Sequence, residues 1–359
     1  AGCVTGDPGF VNAAGGNFRL HPGAACTDRG ATLAWCVGAT DLEGVSRLHG
    51  ASVDIGAYES GRTFVSPAGS HVYPFVTWAT AATNIQEAVD AATSGWTTVV
   101  TNGTYRPAAE IVLTGRVDLV SVWGAAVTVV NGGGAHRVVR VATNALVEGF
   151  TFTGGYVADQ GGGVYAYGGA RLRDCLIRGN TSAQYGGGLM LRNTGTVERC
   201  RFENNRAQAN DGGGVYLARG GLLLDCVVSS NSARHGGGLF LEGGGHLRSC
   251  LVISNSASLQ GGGVHVYLPG GVVESSTLAD NRAGVGGGVY CNAGGTLRDS
   301  IAFDNFASVS SSNHNGVGAW FSCCTYPAVG TACVAKVPRF ADRTGGDYRL
   351  QEGSPCLNA

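Results

Sequence analysis

Apolar and polar residues alternate in short runs between residues 146 and 305, and a Gly-Gly-Gly triplet opens each repeat of the pattern. The triplets begin at residues 161, 186, 212, 236, 261 and 286, so successive units are 24 to 26 residues long. Alternation with a period of two is that of a strand with one buried face, and a fixed period near 25 indicates a solenoid. A helical solenoid is excluded because each glycine costs a helix about 1 kcal/mol. The pattern predicts an all-β fold, a parallel β-helix of about 25 residues per coil with two or three strands in each coil.

Two columns of identical residues run through these units. Each unit has a Cys or Ser between two apolar strand positions, which predicts a ladder of small buried side chains. Its members are Cys175, Cys200, Cys226 and Cys250, continued by Ser276 and Ser300. Each unit then closes on an asparagine, predicted to lie at a turn in the left-handed region and to bond the matching amide one coil away. These residues are Asn180, Asn205, Asn231, Asn255, Asn281 and Asn305.

The chain before the first triplet fits the start of the same solenoid. Residues 146–155 match one earlier coil, with Phe150 at the cysteine position. A short helix is predicted near residues 84–92, because Thr83 and Gln86 form a capping-box pattern ahead of an apolar stripe. Residues 97–101 are predicted to be the first strand. The helix would cover the open apolar end of the first coil.

Composition narrows the class of protein. Of 359 residues 61 are glycine, without a collagen-like period, so the glycines serve turns and close stacking. Charged residues make up 14% and the net charge is −1, which argues against nucleic acid as a partner. No run approaches the roughly 18 apolar residues of a membrane span. No cofactor fingerprint or metal motif is present, so neither a cofactor nor a metal is expected.

The two ends of the chain repeat one another. Residues 3–28 align without gaps to residues 333–358 at a constant offset of 330. We therefore expect a closing segment at 1–60, a β-helix at 61–330 and a partial second closing segment at 331–359. Three explanations remain open: a piece of a longer tandem protein, two caps on a monomer, or a head-to-tail joint in which one copy finishes the end of the next. The residues assigned to such a joint are Cys3, Phe10, Cys26, Cys333, Phe340 and Cys356.

The twelve cysteines favour an oxidising compartment. Zinc is disfavoured because no Cys-x-x-Cys pair occurs and two cysteines are directly adjacent. The disulfide candidates are Cys26, Cys36, Cys323, Cys324 and Cys333. When each cysteine is matched with another that lies close in the sequence, Cys3 and Cys356 are left without a partner. This predicts a disulfide between copies or a non-covalent joint.

Residues 63–105 resemble the opening of secreted bacterial β-helix proteins of the pectin-lyase-like superfamily. Residues 7–59, with Asp-Pro-Gly-Phe at 7–10 and Asp-Ile-Gly-Ala-Tyr-Glu at 54–59, are similar to the choice-of-anchor Q domain. The triplet coils resemble those of polymorphic outer-membrane proteins and adhesins. The resemblance implies a right-handed coil, as the crossover rule also does, and an extracellular or cell-surface location. The family usually places the anchor module after the solenoid, whereas here it comes first.

An enzyme is the main rival, because the resemblance implies polysaccharide cleavage with clustered aspartates, calcium and a basic residue. One polar column holds Asp174, Arg199, Asp225, Ser249, Ser275 and Asp299, and its interruption indicates a solvated face. Asp280 and Asp304 lie one coil apart, near the spacing of a retaining glycosidase pair, but without a basic partner in the pattern. His235 precedes a triplet in an esterase-like motif whose register indicates a turn. No catalytic residue is assigned.

A column of large side chains is predicted to point outward and form an exposed strip for a glycan or for lateral association. Ordinary cross-strand stacking explains it equally well. The column is Tyr165, Met190, Tyr216, Phe240, His265 and Tyr290. Asn102 and Asn180 head glycosylation sequons.

The main hypothesis from the sequence is a non-enzymatic extracellular structural protein. It would be a β-helical rod that associates with itself head to tail into a fibre or surface stalk. The alternatives are a carbohydrate-binding or carbohydrate-cleaving β-helix and a monomeric adhesin. An enzyme requires converging carboxylates and a basic group, whereas a fibre subunit requires complementary ends.

Overall fold

The computed structural model describes residues 5, 7–13, 17–20, 25–26, 29–37, 39, 41–42, 47, 52–57, 61–92 and 94–357. Cys3 lies outside these residues. From Arg62 onward the chain winds into a solenoid in which four parallel sheets enclose one apolar core. The predicted fold class is confirmed: an all-β parallel solenoid of about 25 residues per coil with one short α-helix.

Sheets I and II form consecutive walls of each coil. Sheet I consists of Arg62–Val65, Thr97–Val100, Asp118–Ser121, Leu146–Glu148, Ala170–Arg173, Gly195–Glu198, Leu222–Leu224, His246–Arg248, Val272–Glu274, Thr296–Arg298 and Ala319–Phe321. Sheet II consists of Gly103–Tyr105, Thr128–Asn131, Thr151–Thr153, Leu176–Arg178, Arg201–Glu203, Val227–Ser229, Leu251–Ile253, Thr277–Ala279, Ile301–Phe303 and Cys324–Thr325.

Sheets III and IV complete the coil. Sheet III consists of Tyr156–Val157, Thr181–Ser182, Arg206–Ala207, Ser232–His235, Ser256–Gln260, Arg282–Ala283 and Phe306–Ala307. Sheet IV consists of Ile111–Leu113, Val139–Val141, Val164–Tyr167, Leu189–Arg192, Val215–Ala218, Leu239–Glu242, Val264–Val266, Val289–Cys291 and His314–Gly316. A central coil therefore has four strands, one more than expected, because the short strands of sheet III follow directly after the asparagine turn.

Strand register reproduces the sequence period. In sheet IV, Val164 pairs with Leu189 and Leu189 pairs with Val215, and these side chains are fully buried. The largest fully buried side chains in the core are those of Phe150, Phe152 and Phe202. Burial of whole Phe and Leu side chains, at about 1.5–3 kcal/mol each, is the main stabilisation of the solenoid.

A short helix, Ile85–Ala91, covers the start of the solenoid. Its N-cap is Asn84, whose side chain accepts a hydrogen bond from the Gln86 backbone N–H at 2.9 Å, so the predicted cap at Thr83 is wrong by one residue. Ile85 and Val89 are buried against the core. The strand Arg62–Val65 precedes the helix and pairs with Thr97–Val100, which is therefore the second strand of sheet I rather than the first.

The corners of each coil are sharp left-handed turns. The polar column considered as a carboxylate site lies at one such corner, with φ from 48° to 54°: Asp174, Arg199, Asp225, Ser249, Ser275 and Asp299. Short polar residues adopt the left-handed backbone region at small energetic cost. The column is therefore explained as a row of turn residues. At the other corner the residue before each ladder asparagine has positive φ, as in Ser230 at 57°. The prediction that the asparagine itself is left-handed is therefore wrong.

The asparagine column forms a continuous buried ladder. Asn180, Asn205, Asn231, Asn255 and Asn281 each donate Nδ2 to Oδ1 of the next asparagine at 2.9–3.0 Å. Asn313 adds a further member beyond Asn305. The cysteine column is buried as free thiols, and in the continuation of the column Ser276 Oγ accepts from the Cys250 backbone N–H at 3.0 Å. Both columns are structural.

The duplicated ends form the same hairpin. Phe10–Asn12 pairs with Asn17–Leu20, and Phe340–Asp342 pairs with Asp347–Leu350, with the same register and bulge. A short 3-10 helix, Ala34–Cys36, follows the first hairpin. Among the described residues, no helix is long and apolar enough to cross a membrane.

Candidate binding surface on the outer face of sheet IV

The predicted aromatic column lies on the outer face of sheet IV in consecutive coils. It is buried rather than exposed: Met190, Tyr216, Phe240 and His265 are between 2% and 6% exposed. Tyr165 and Tyr290, at its two ends, are half-buried. The expectation of an exposed strip is therefore wrong for the centre of the column, which forms a small second core separate from the interior.

Ring contacts are continuous along the column from Tyr216 to Tyr290. Tyr216 stacks on Phe240 with ring centroids 4.9 Å apart and planes 13° from parallel. Phe240 contacts His265 at 4.8 Å, and His265 contacts Tyr290 at 5.0 Å. Aromatic pairs at these distances contribute about 0.5–1.5 kcal/mol beyond area burial. The column is a rigid platform.

More tyrosines surround this platform and remain partly open to solvent. Tyr185 contacts Tyr216 at 5.1 Å, Tyr167 contacts Tyr165 at 5.9 Å, and Tyr267 contacts Phe240 at 5.6 Å. Tyr267 is exposed, whereas Tyr167 and Tyr185 are half-buried. We call Tyr165, Tyr167, Tyr185, Tyr267 and Tyr290 the tyrosine rim.

One side of the platform carries a second, mainly polar column, which the strand pattern alone does not reveal. It consists of the residue before each Gly triplet, namely Gln160, Tyr185, Asp211, His235, Gln260 and Val285. Asp211 and His235 are bridge partners in adjacent coils, as are Gln160 and Tyr185. Alignment of the units on their triplets would have identified this column beside the aromatic one.

Burial shifts the pKa of three titratable side chains in or beside the platform. Burial raises the pKa of Asp211 to about 6, with Arg234 opposing and Glu242 reinforcing the shift. Burial and a hydrogen bond with Glu242 raise the pKa of Tyr216. Burial, together with His235, lowers the pKa of His265 to about 3. At neutral pH His265 is therefore uncharged, and Asp211, two coils earlier, has a pKa in the mildly acidic range.

We expect Asp211→Asn to stabilise the protein at pH 7 and to change little at pH 4. The folded pKa lies above the unfolded value of 3.8, so ionisation of Asp211 destabilises the fold progressively as the pH rises from about 4 to about 6. Partial solvent screening limits the gain to about 1 kcal/mol. Thermal melts of both proteins across this range would measure it, with Asp225→Asn at an exposed corner as the matched change. An equal effect at pH 4 and pH 7 would contradict the assignment.

The second carboxylate pair has a basic partner that the sequence pattern did not show. Arg343, from the C-terminal hairpin, donates Nε to Asp280 Oδ2 at 3.0 Å and also pairs with Asp304 in the next coil. The hydroxyl of Tyr348 donates to Asp280 at 2.7 Å. Burial would raise the pKa of Asp280, but these hydrogen bonds outweigh it and the pKa is lowered. The pair attaches the hairpin to the side of the solenoid.

Replacing Arg343 by alanine is expected to release this hairpin while leaving the solenoid folded. A bidentate arginine that bridges two coils contributes about 1 kcal/mol at a partly exposed site. Limited proteolysis should cut within 331–357 several-fold faster. Arg349→Ala, which removes an ion pair internal to the hairpin, serves as the control. Equal cleavage rates in the two variants would show that Arg343 does not hold the hairpin.

The cysteine predictions are only partly right. Cys324, a candidate, forms a disulfide, and its partner is Cys356. Cys26, Cys36, Cys323 and Cys333 are free thiols, with the Cys323 N–H donating to Cys333 Sγ at 3.3 Å. Because Cys356 is bonded within the chain, the prediction that it remains unpaired for a disulfide between copies is wrong.

Other candidate positions are placed as follows. Asn102 is exposed, whereas Asn180 is fully buried in the ladder and is inaccessible to glycosylation in the folded protein. In the described part of the chain, no three His, Cys, Asp or Glu side chains lie close enough to hold a metal ion.

A cavity of about 360 Å³ lies beside the helix, lined by Asn84, Tyr105 and Arg106 among others. A second, of about 290 Å³, adjoins the Cys324–Cys356 disulfide. Both are remote from the platform.

These features define a parallel β-helix with an aromatic platform on one outer face. A family model described as "Right handed beta helix region" matches residues 120–272, which supports a right-handed coil. The structure of pectate lyase Pel9A is similar, with a TM-score of 0.52 and 14% identity over 83% of this chain and 91% of that chain. At this identity the likeness shows the fold alone.

Two pectin methylesterase structures are also similar. The enzyme from Aspergillus niger has a TM-score of 0.44 and 14% identity over 82% of this chain and 91% of its own. The enzyme from carrot has a TM-score of 0.41 and 12% identity over 76% and 85%. No curated protein sequence matches the chain.

Proposed function

We propose that the protein is an extracellular carbohydrate-binding β-helix whose ligand lies along the aromatic platform of sheet IV. The observation that carries this proposal is the tyrosine rim, which presents partly exposed rings on a rigid buried base. The alternative that the sequence left open is thus favoured over a purely structural rod. The disulfide and the fold shared with a pectate lyase support an extracellular location.

Tyrosine suits a sugar ligand because its ring offers an apolar face and its hydroxyl can hydrogen-bond. Three rim rings, Tyr185, Tyr267 and Tyr290, are held in place by contacts with buried rings, so little side-chain entropy is lost on binding. Polar groups stand beside them: Arg192 donates to the Tyr165 hydroxyl at 3.2 Å, and Asp211 and Glu242 flank Tyr216. Carboxylates and guanidinium groups provide strong hydrogen bonds to hydroxyls.

The dimensions favour a polymer. Tyr165 and Tyr290 belong to the first and last of six consecutive coils, and five steps of about 4.8 Å place them roughly 24 Å apart. A surface of this length fits an extended oligosaccharide better than a single sugar. Cations and carboxylates both line it, so neutral and acidic chains are both to be tested.

Affinity electrophoresis through gels containing neutral or acidic polysaccharides tests the proposal. The double variant Tyr165→Ala/Tyr267→Ala is expected to bind at least tenfold more weakly, about 1.4 kcal/mol. Trp123→Ala removes an exposed aromatic ring at a remote corner and should bind as the parent does. Lack of retardation in every gel, or equal loss in the control, would overturn the proposal. Reducing-end release from the same polymers would show whether binding is accompanied by cleavage.

A rod joined end to end remains a second candidate, and one observation favours it. The two hairpins share one register, but only the C-terminal one is clamped by Arg343, and Ala13 stands at the matching position of the other. Phe18 is 52% exposed, whereas the matching Tyr348 contacts Asp280. Sedimentation at rising concentration should show end-to-end oligomers that persist in reductant. A monomer at all concentrations would rule this candidate out.

A further inference from the structure

His265 is a buried polar residue whose two ring nitrogens both lack a hydrogen-bond partner. Its side chain is 2% exposed, and neither Nδ1 nor Nε2 makes a hydrogen bond. The Gln260 carbonyl lies near enough to affect its pKa but not in hydrogen-bond geometry. Buried polar groups in native proteins nearly always have partners, so an imidazole with two open nitrogens requires an explanation. Its neighbours in the column are the rings of Phe240 and Tyr290.

A second imidazole with an open nitrogen lies next to it. His235, in the polar column one coil earlier, has a buried Nδ1 that also makes no hydrogen bond. The two ring centroids are 5.4 Å apart and the planes are 77° from parallel. An imidazole nitrogen binds a transition metal at about 2.0–2.1 Å, which places the centroids of two rings on one tetrahedral ion roughly 5 Å apart. The pair has the separation of two histidines that share an ion.

We propose that His235 and His265 form a binding site for a divalent transition-metal ion of the Zn²⁺ and Ni²⁺ class. The ion would link consecutive coils at the edge of the aromatic platform, where the sheet III strand that ends at His235 adjoins sheet IV. It would satisfy ring nitrogens that the protein itself leaves unbonded. The site is independent of carbohydrate binding.

The donor atoms determine the class of ion. Imidazole nitrogen prefers zinc, nickel and copper over magnesium and calcium, which require oxygen ligands.

The protein is expected to supply only some of the ligands of the ion. Within the described residues, no third His, Cys, Asp or Glu completes a cluster. The remaining positions belong to water or to the Gln260 side chain, which follows His235 in the polar column. Two protein ligands with open positions give a weaker site than the closed four-ligand sites of structural zinc. We expect an affinity in the micromolar range.

Isothermal titration of tag-free, folded protein with ZnCl₂ and NiCl₂ tests the site. The wild-type chain should bind one ion, and MgCl₂ should give no heat. His265→Phe keeps a ring in the column but removes both nitrogens, and His235→Gln removes the other ligand. Each should weaken binding at least tenfold. His246→Gln is the matched control, because His246 is paired with Glu274 at 3.0 Å on sheet I. All variants retain every thiol, so loss of the ion cannot be assigned to cysteine.

Two outcomes would overturn the proposal. One is no binding of either ion to the wild-type chain below about 1 mM. The other is equal affinity in all four proteins, which would place the ion elsewhere. If His265→Phe fails to fold, His235→Gln alone decides, since His235 is only half-buried. A rise in melting temperature with zinc in the wild type and the His246→Gln variant, but not in His235→Gln, would confirm the site independently.

Discussion

Asn231→Ala is expected to destabilise the protein by about 4 kcal/mol, because one side chain makes four buried hydrogen bonds worth about 1 kcal/mol each. Its Nδ2 donates to the Phe202 carbonyl at 2.9 Å and to Asn255 Oδ1 at 3.0 Å. Its Oδ1 accepts from the backbone N–H and Nδ2 of Asn205 at 2.9 and 3.0 Å. Alanine leaves buried polar groups in two neighbouring coils unsatisfied. Denaturant unfolding followed by circular dichroism measures the loss.

Asn292→Ala is the control for this change. Asn292 is exposed on a loop and lies outside the ladder, so its replacement should alter the unfolding free energy by less than about 0.5 kcal/mol. If Asn231→Ala costs no more than this control, the ladder is not a significant source of stability. A broadened transition in Asn231→Ala alone would show instead that the two halves of the solenoid unfold separately.

Gly187→Ala is expected to be at least as damaging, for a steric reason. Gly187 is the middle residue of its triplet, and a Cβ there would lie 2.5 Å from the carbonyl oxygens of Arg206 and Gly213. Both obstacles are backbone atoms in the next coil and have no freedom to move without breaking sheet hydrogen bonds. Overpacking of side chains costs about 1–3 kcal/mol, and a clash with backbone exceeds that range. We expect a loss above about 3 kcal/mol or failure to accumulate as folded protein.

Gly244→Ala separates this clash from backbone strain. Gly244 has a φ of 86° and no atom within 4 Å of a Cβ, so alanine there meets strain but no obstacle. The expected cost is about 1–2 kcal/mol. Melting temperatures of the two variants give the comparison. A Gly187→Ala protein as stable as Gly244→Ala would mean that the coils can move apart locally.

The solenoid could be predicted from the sequence because each coil repeats the same pattern of buried and exposed positions. A buried position such as Leu191 has a buried partner one period away, Leu217, so alternation and period together define strand and register. The corners were harder to assign. Positive φ falls on Ser230 rather than on Asn231, because the asparagine must turn its amide inward to reach the ladder. Nothing in the local pattern distinguishes those two positions.

The candidate site was less predictable than the fold. Alternation places Tyr216 and Phe240 outside the core, which is correct, but it does not show what lies beside them. Tyr185, directly before a triplet, and Ala218 and Tyr267, at or directly after the ends of sheet IV strands, pack on the column and convert an expected surface into a second core. Arg343 reaches Asp280 from 63 residues away in the chain. Contacts of that kind follow from where the closing hairpin docks, which no periodicity encodes.

The asparagine ladder begins with the Gly155 N–H and ends where Asn313 donates to the Tyr326 carbonyl. Every step between these ends is interchangeable, so the rod can change length by whole coils without redesign of either end. Deleting residues 212–235 would bring Asn205 opposite Asn255 and Leu191 opposite Leu241, each an existing type of contact. Gene duplication and deletion can thus lengthen or shorten the outer platform in increments of about 4.8 Å. The length of the platform is therefore set by the number of repeats.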